Sequence, residues 1–147
     1  MCVQDRRLDI AAMCGMAPAA RERGRRLGRR NHLSGASAED QVARVYQRKG
    51  AQIRDRRCRT PEGELDIVTQ IGDILIFVEV KKRKNVRSPD APVSARQWQR
   101  LESAALHYMM QYQKETGVQP VCRFDVALTG RDGAVEIIEN ARSFDAY

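Results

Sequence analysis

The chain has 147 residues, 42% apolar and 31% charged, which suits one compact globular domain with a core of its own. No apolar run approaches the roughly 18 residues of a membrane-crossing helix, so no membrane partner is expected. The net charge of +7 is uneven: residues 1–33 hold eight Arg against three acids, whereas residues 34–147 carry 18 basic and 16 acidic side chains.

Residues 1–33 are rich in Arg, Ala and Gly without a sustained period, and read as a flexible basic arm suited to a polyanion. The short apolar stretch 10–17 follows Arg6-Arg7, but Asp5 and Asp9 spoil a signal-peptide pattern. Cys2, Cys14, Cys58 and Cys122 match no zinc spacing and have no His cluster beside them. The expectation is four reduced thiols in a cytoplasmic protein.

The folded domain is expected over 34–147. Ser37-Ala38-Glu39-Asp40 resembles a capping box opening a helix, Val42, Val45 and Tyr46 form its apolar stripe, and Gly50 supplies the stop. Glu39 precedes Val42, Ala43 and Tyr46 by three, four and seven positions, so it projects along the buried side of that helix. Strands are predicted over 51–58, 64–71 and 74–81. Gly72-Asp73 reads as a two-residue hairpin turn that sets Ile71 opposite Ile74, Asp66 opposite Glu79 and Glu64 opposite Lys81. Residues 74–78 are apolar on both faces, which places their strand in the middle of a covered sheet. A loop with Pro89 and Pro92 follows. Ser94 then caps a helix to about residue 115 with Trp98, Leu101, Ala105, Tyr108 and Tyr112 on its apolar face. Gly117 and Pro120 end it, and strands are predicted over 121–128 and 134–138. A right-handed crossover through the long helix makes the fourth strand parallel to the third. The predicted architecture is α/β, a mixed five-stranded sheet flanked by helices.

Directly opposed side chains on paired strands lie roughly 4.5–5.5 Å apart at Cβ, so Asp66 and Glu79 repel unless something stands between them. A divalent cation converts that repulsion into coordination, and carboxylate oxygen is the proper ligand for Mg²⁺ or Mn²⁺. The expected metal ligands are Asp66, Glu79 and the Val80 carbonyl, with Glu39 completing the shell or holding a metal-bound water. Lys81 shares a strand face with Glu79 and would orient or help deprotonate the attacking water. Glu64 is an outer candidate paired with Lys81. A Glu-x-Lys pair at a strand end is ordinarily a solvent-facing ion pair of little worth. Here the apolar strand, the position set by the turn and the inward Glu39 favour a site, which a one-residue slip of the hairpin would dissolve. Arg54, Arg56, Arg57 and Arg59 on one side, and Lys82, Arg83, Lys84 and Arg87 on the other, would grip phosphates. His32 and His107 have no partner at useful spacing. Trp98 reads as core, and Arg123 with Asp125 as an internal ion pair.

Gly35-x-x-Ala38-Glu39, Gly63-Glu64-Leu65-Asp66-Ile67-Val68, Phe77-Val78-Glu79-Val80-Lys81 and Arg123-Phe124-Asp125-Val126 together resemble the motif series of the YraN-like family of uncharacterised bacterial proteins. That family is similar to archaeal Holliday-junction resolvases and belongs with the PD-(D/E)xK, restriction-endonuclease-like nucleases. The resemblance covers about residues 34–141. It implies the restriction-endonuclease-like core, a Mg²⁺ or Mn²⁺ site at Asp66, Glu79 and Lys81 with Glu39, and nucleic acid as substrate, DNA before RNA. A homodimer is implied by likeness to the resolvases alone. Leu65 stands where the superfamily name has Pro. Where the family often carries Lys near the start of the long helix, this chain has Arg96 or Gln97. The expected function is a metal-dependent, structure-selective endonuclease. The alternative is a nucleic-acid-binding module that keeps the fold without turnover.

Overall fold

The computed structural model describes residues 29–86 and 92–143, with side chains from residue 37 onward. The elements run α1 (Arg29–Arg48), β1 (Gln52–Arg59), β2 (Glu64–Ile71), β3 (Ile74–Lys82), α2 (Ala95–Thr116), β4 (Val121–Thr129) and β5 (Val135–Arg142). The five strands form one sheet in the order β1-β2-β3-β4-β5. All neighbours are antiparallel except β3 and β4, which α2 joins in parallel. This is the restriction-endonuclease-like α/β arrangement, with the apolar β3 at the centre.

Each helix covers one face. Val42, Ala43 and Tyr46 of α1 pack with Ile67, Ile76, Val78 and Ala127. Trp98, Leu101, Ala104, Ala105 and Tyr108 of α2 pack with Val68, Leu75, Phe77, Phe124, Val126 and Leu128. Alternation along β3 and β4 thus sends successive apolar residues to opposite layers, the reason those strands read as continuous hydrophobic runs. Burying each large side chain contributes about 1.5–3 kcal/mol.

The expected turns and caps recur at β2–β3 and α2. Gly72 takes φ +56°, while Asp73 is not among the positive-φ residues, the pattern of a II′ turn in which only the first central residue needs glycine. Ser94 and Gln97 form a reciprocal capping box: Ser94 Oγ accepts from the Gln97 N–H at 3.2 Å, and Gln97 Oε1 accepts from the Ser94 N–H at 3.1 Å.

Three expectations need correction. Helix α1 begins at Arg29, so Ser37 lies inside it rather than at its cap, and the 33/34 boundary falls within the helix. Gly35 lowers local helix propensity by only about 1 kcal/mol against Ala, too little to stop a helix whose following turns are anchored in the core. Residues 1–28 of the expected arm lie outside the described residues. Strand β5 runs to Arg142 rather than ending at 138. Its register shifts between Phe124 and Val126, where Asn140 takes φ +50° and turns its N–H onto Asp125 Oδ1 at 3.0 Å. Finally, Cys122 is a free thiol but Cys58 is disulfide-bonded, against the expectation of four reduced thiols. Cys2 and Cys14 lie outside the described residues.

Asp125 is the polar tie between layers. It is fully buried and accepts from Tyr46 Oη of α1 at 2.6 Å and from Arg123 at 3.0 and 3.1 Å. Together with the Asn140 N–H, these donors satisfy a carboxylate whose burial would otherwise be strongly unfavourable. No helix among the described residues is long and apolar enough to cross a membrane.

Candidate active site

The β2–β3 ladder descends from Ile71↔Ile74 to Ile67↔Val78. The paired register stops there, and just beyond it Asp66 lies within reach of the Glu79 carboxylate. There the Val80 N–H donates to Asp66 Oδ2 at 2.9 Å, so the acid is tied to the backbone of the neighbouring strand. The side-chain alternation of β2 also breaks at this point. Leu65 sits in the α2 layer and Ile67 in the α1 layer, although two residues apart should share a face. Across β1, Arg56 pairs with Ile67 and Cys58 with Leu65, which puts Arg57 opposite Asp66. Arg57 has φ +50°, uncommon for a residue with a long side chain. The β1–β2 hairpin is therefore swivelled at Arg57 and Asp66, and Asp66 stands at a seam that side chains from both layers reach.

The electrostatics follow from that position. Burial above all, and then the Glu79 charge, push the Asp66 carboxyl up to about 7; the Val80 N–H opposes the shift, and Glu39 adds to it. Lys81 Nζ lies 3.0 Å from Glu79 Oε1, both side chains being mostly buried. Glu39, with its side chain 14% exposed, does point into the molecule as its helical spacing predicts. Its Oε2 accepts from Arg57 Nε at 2.8 Å, a bond that raises the Arg57 pKa. Glu64 does not pair with Lys81. It lies directly opposite Arg59 on β1 and meets that guanidinium at 3.2 Å, while Lys81 turns to Glu79 two residues back on its own strand.

Asp66, Glu79 and Glu64 line a cleft of ≈ 210 Å³ together with Gly63. Its other wall is α2, through Gln97, Arg100 and Leu101. Of the two residues singled out near the start of the long helix, Gln97 lines the cleft, whereas Arg96 is exposed and not part of its lining. Arg100 had no signal in the sequence beyond its spacing of three from Gln97, because only the docking of α2 brings it to the acids.

Among the described residues, no group of three or more His, Cys, Asp or Glu side chains is placed to hold a metal ion. Glu39 is close enough to Asp66 to influence its proton but is engaged by Arg57. The donor set of Asp66 and Glu79 still fits Mg²⁺, which is commonly bound by one or two carboxylates plus substrate phosphate and retains several waters. It does not fit a cation that needs an all-protein cage.

The basic residues divide into two groups. Arg54 donates to Gln70, Arg56 pairs with Asp40, and Arg57 and Arg59 hold Glu39 and Glu64. Much of that stretch therefore balances internal acids. Lys82 and Lys84 are exposed with no ion pair among the described residues, Arg83 is half-buried, and Arg87 lies outside the described residues. His107 Nδ1 approaches Glu62 at 3.7 Å, a partner its sequence spacing did not reveal, and Trp98 is core as expected.

Residues 38–129 match the model of the uncharacterised protein family UPF0102. The chain belongs to UPF0102. It is similar to a UPF0102 protein of Ruegeria pomeroyi, 40% identical over 114 residues that span 78% of this chain and 91% of that one. A UPF0102 protein of Azorhizobium caulinodans is 37% identical over 111 residues, 75% of this chain and 82% of its own. Another from Dinoroseobacter shibae is 34% identical over 125 residues, 85% and 91% of the two chains. The UPF0102 match takes in Glu39, Asp66, Glu79, Lys81, Gln97 and Arg100 within its bounds.

Proposed function

We propose that this UPF0102 chain is a metal-dependent endonuclease that hydrolyses phosphodiester bonds in nucleic acid, with DNA of branched or flapped structure as its preferred substrate. The observation that carries the reading is the meeting of Asp66 and Glu79 where the β2–β3 ladder ends, with Lys81 Nζ 3.0 Å from Glu79. Two acids brought together in a half-buried cleft are locally unfavourable, burial first and then the Glu79 charge raising the Asp66 pKa. A structural role alone gives no reason to keep them so.

Asp66 and Glu79 would hold Mg²⁺ or Mn²⁺, with the Val80 carbonyl and Glu39 as further donors, and the ion would supply Lewis-acid polarisation of the phosphate. The residues of the chain do the rest. Glu79 fixes the Lys81 ammonium at the cleft, where it orients the attacking water and offsets charge building on the phosphoryl oxygens. The water oxygen bonds to phosphorus as it gives up a proton to solvent, the bond to the leaving sugar oxygen breaks, and that oxygen takes up a proton from solvent. The Val80 N–H holds Asp66 in one orientation, so its remaining oxygen is aimed rather than mobile. Lys82 and Lys84 contact backbone phosphates, which makes binding weaken with salt.

A second reading has an observation of its own. The absence of a three-acid cluster among the described residues, and the commitment of Glu39 to Arg57, favour a nucleic-acid-binding module without turnover. Labelled four-way junction, flap and duplex DNA incubated with Mg²⁺ or Mn²⁺ separates the two. The nuclease cuts, and Asp66→Asn and Lys81→Ala each slow cutting by roughly a thousandfold, the size of several kcal/mol of lost transition-state stabilisation. Binding of all three DNAs with no cutting by the wild type supports the module, and cutting undiminished in both variants removes the assigned site.

A further inference from the structure

We propose that Arg100, backed by the side-chain amide of Gln97, is the phosphate-binding wall of the cleft, holding the backbone phosphate that lies over Asp66 and Glu79. The inference rests on the nuclease reading for what the phosphate belongs to, but its physical basis is separate.

The two walls of the cleft are chemically opposite. From the sheet side come carboxylates, which only accept hydrogen bonds when ionised, and each already has its partner: Val80 N–H for Asp66, Lys81 for Glu79, Arg59 for Glu64. From the helix side come a guanidinium and a primary amide. Gln97 Oε1 is taken by the Ser94 N–H, so the capping box fixes the side chain and leaves its NH₂ group as the part still able to bond. Arg100 makes no ion pair or hydrogen bond among the described residues, although three acids line the same cleft. Every other Arg named at the site is engaged: Arg57 by Glu39 and Arg59 by Glu64. The cleft therefore presents one donor-only wall with unspent donors across from an acceptor-only wall.

A ligand that satisfies both walls at once carries an anion toward α2 and a cation toward the sheet. A phosphodiester with a bound divalent ion has that polarity, whereas a carboxylate or amine ligand matches only one side. Arg suits the task because its planar fork binds two oxygens of one phosphate, and its guanidinium keeps its charge at any working pH. The capped first turns of α2 make the platform rigid, and Leu101, buried at 8% exposure beside Arg100, anchors that turn to the core.

The test uses the full chain and a fluorescein-labelled four-way DNA junction, with Ca²⁺ replacing Mg²⁺ for equilibrium binding and Mg²⁺ for turnover. Arg100→Ala is compared with the wild type, with Arg100→Lys, and with Lys114→Ala at the far end of α2 as a control for simple loss of charge. Arg100 is exposed and unpaired, so thermal melting of the variants stays at the wild-type temperature. The expected result is that Arg100→Ala lowers the slope of log binding constant against log salt by about one, with affinity down roughly tenfold, and that Arg100→Lys recovers the slope but not all of the affinity. Lys114→Ala leaves the slope unchanged. In turnover, Arg100→Ala raises KM at least as much as it lowers kcat. A wild-type slope in Arg100→Ala, or an equal fall in Lys114→Ala, overturns the proposal even if the wild type cuts DNA. Conversely, a reduced slope in Arg100→Ala with no cutting by the wild type leaves the phosphate wall standing and removes the nuclease reading.

Discussion

Asp125 and Asp66 are both withdrawn from water, one on each side of β3 along the sheet. Asp125 accepts from Tyr46 Oη, from two nitrogens of Arg123 and from the Asn140 N–H. Asp66 accepts from a single backbone N–H and faces Glu79, with Glu39 near. The first environment is arranged around a carboxylate and is complete. The second is arranged around two carboxylates, and its ammonium, Lys81, pairs with Glu79 while Asp66 has only a backbone N–H. The contrast teaches that burial by itself does not single out an acid for a functional reading; an unbalanced set of partners is the feature that does so.

Breaking the complete side has the largest expected effect. Asp125→Ala leaves Arg123 and the Tyr46 hydroxyl without their acceptor and lowers unfolding free energy by about 3–5 kcal/mol in a urea melt. Filling the incomplete side comes next. Mn²⁺ at a hundred times its Kd adds about 2.7 kcal/mol to the wild type and close to nothing to Asp66→Asn or Glu79→Gln, measured as a shift in melting midpoint.

Removing the unbalanced charge has a smaller effect of opposite sign to that at Asp125. Asp66 sits at about 7 in the fold against a usual 3.8. Between those pH values the unfolded chain releases the proton and the folded chain keeps it, so this group's contribution to stability falls as pH rises and is fully lost above 7. Asp66→Asn therefore stabilises the metal-free protein at pH 8, on the order of 1–3 kcal/mol, and flattens that part of the pH profile. A variant less stable than the wild type at pH 8 would remove the claim that the pair is strained. The smallest effect belongs to the rim of the complete side: Lys49→Ala deletes an exposed ion pair with Glu139 and changes stability by a few tenths of a kcal/mol.

The layout of the sheet and the meeting of Asp66 with Glu79 were legible because they follow from local chemistry. Gly72 forces the turn, the turn fixes the register, and the apolar run at Ile74–Val78 chooses the central strand. The inward aim of Glu39 was legible from helical spacing. What was hidden depends on tertiary docking. Arg59 captures Glu64 only because β1 folds back beside β2, and Arg100 meets the acids only because α2 lies over that end of the sheet. The start of α1 was misread because a capping-box pattern at Ser37 has the same letters inside a helix as at its end. The last turn of β5 was missed because Glu139-Asn140 reads as a loop, when Asn140 in fact serves the buried Asp125.

The swivel at Arg57 and Asp66 gives the cleft a dependence on complete assembly. Its floor is made by β2 and β3, its far wall by α2, and the guanidinium that restrains Glu39 comes from β1 while Glu39 itself comes from α1. An intermediate with only one helix docked has either the acids without their opposite wall or the wall without a fixed seam. Loss of any one of these layers therefore takes a wall or a restraint from the cleft, and the arrangement exists only in the fully folded domain.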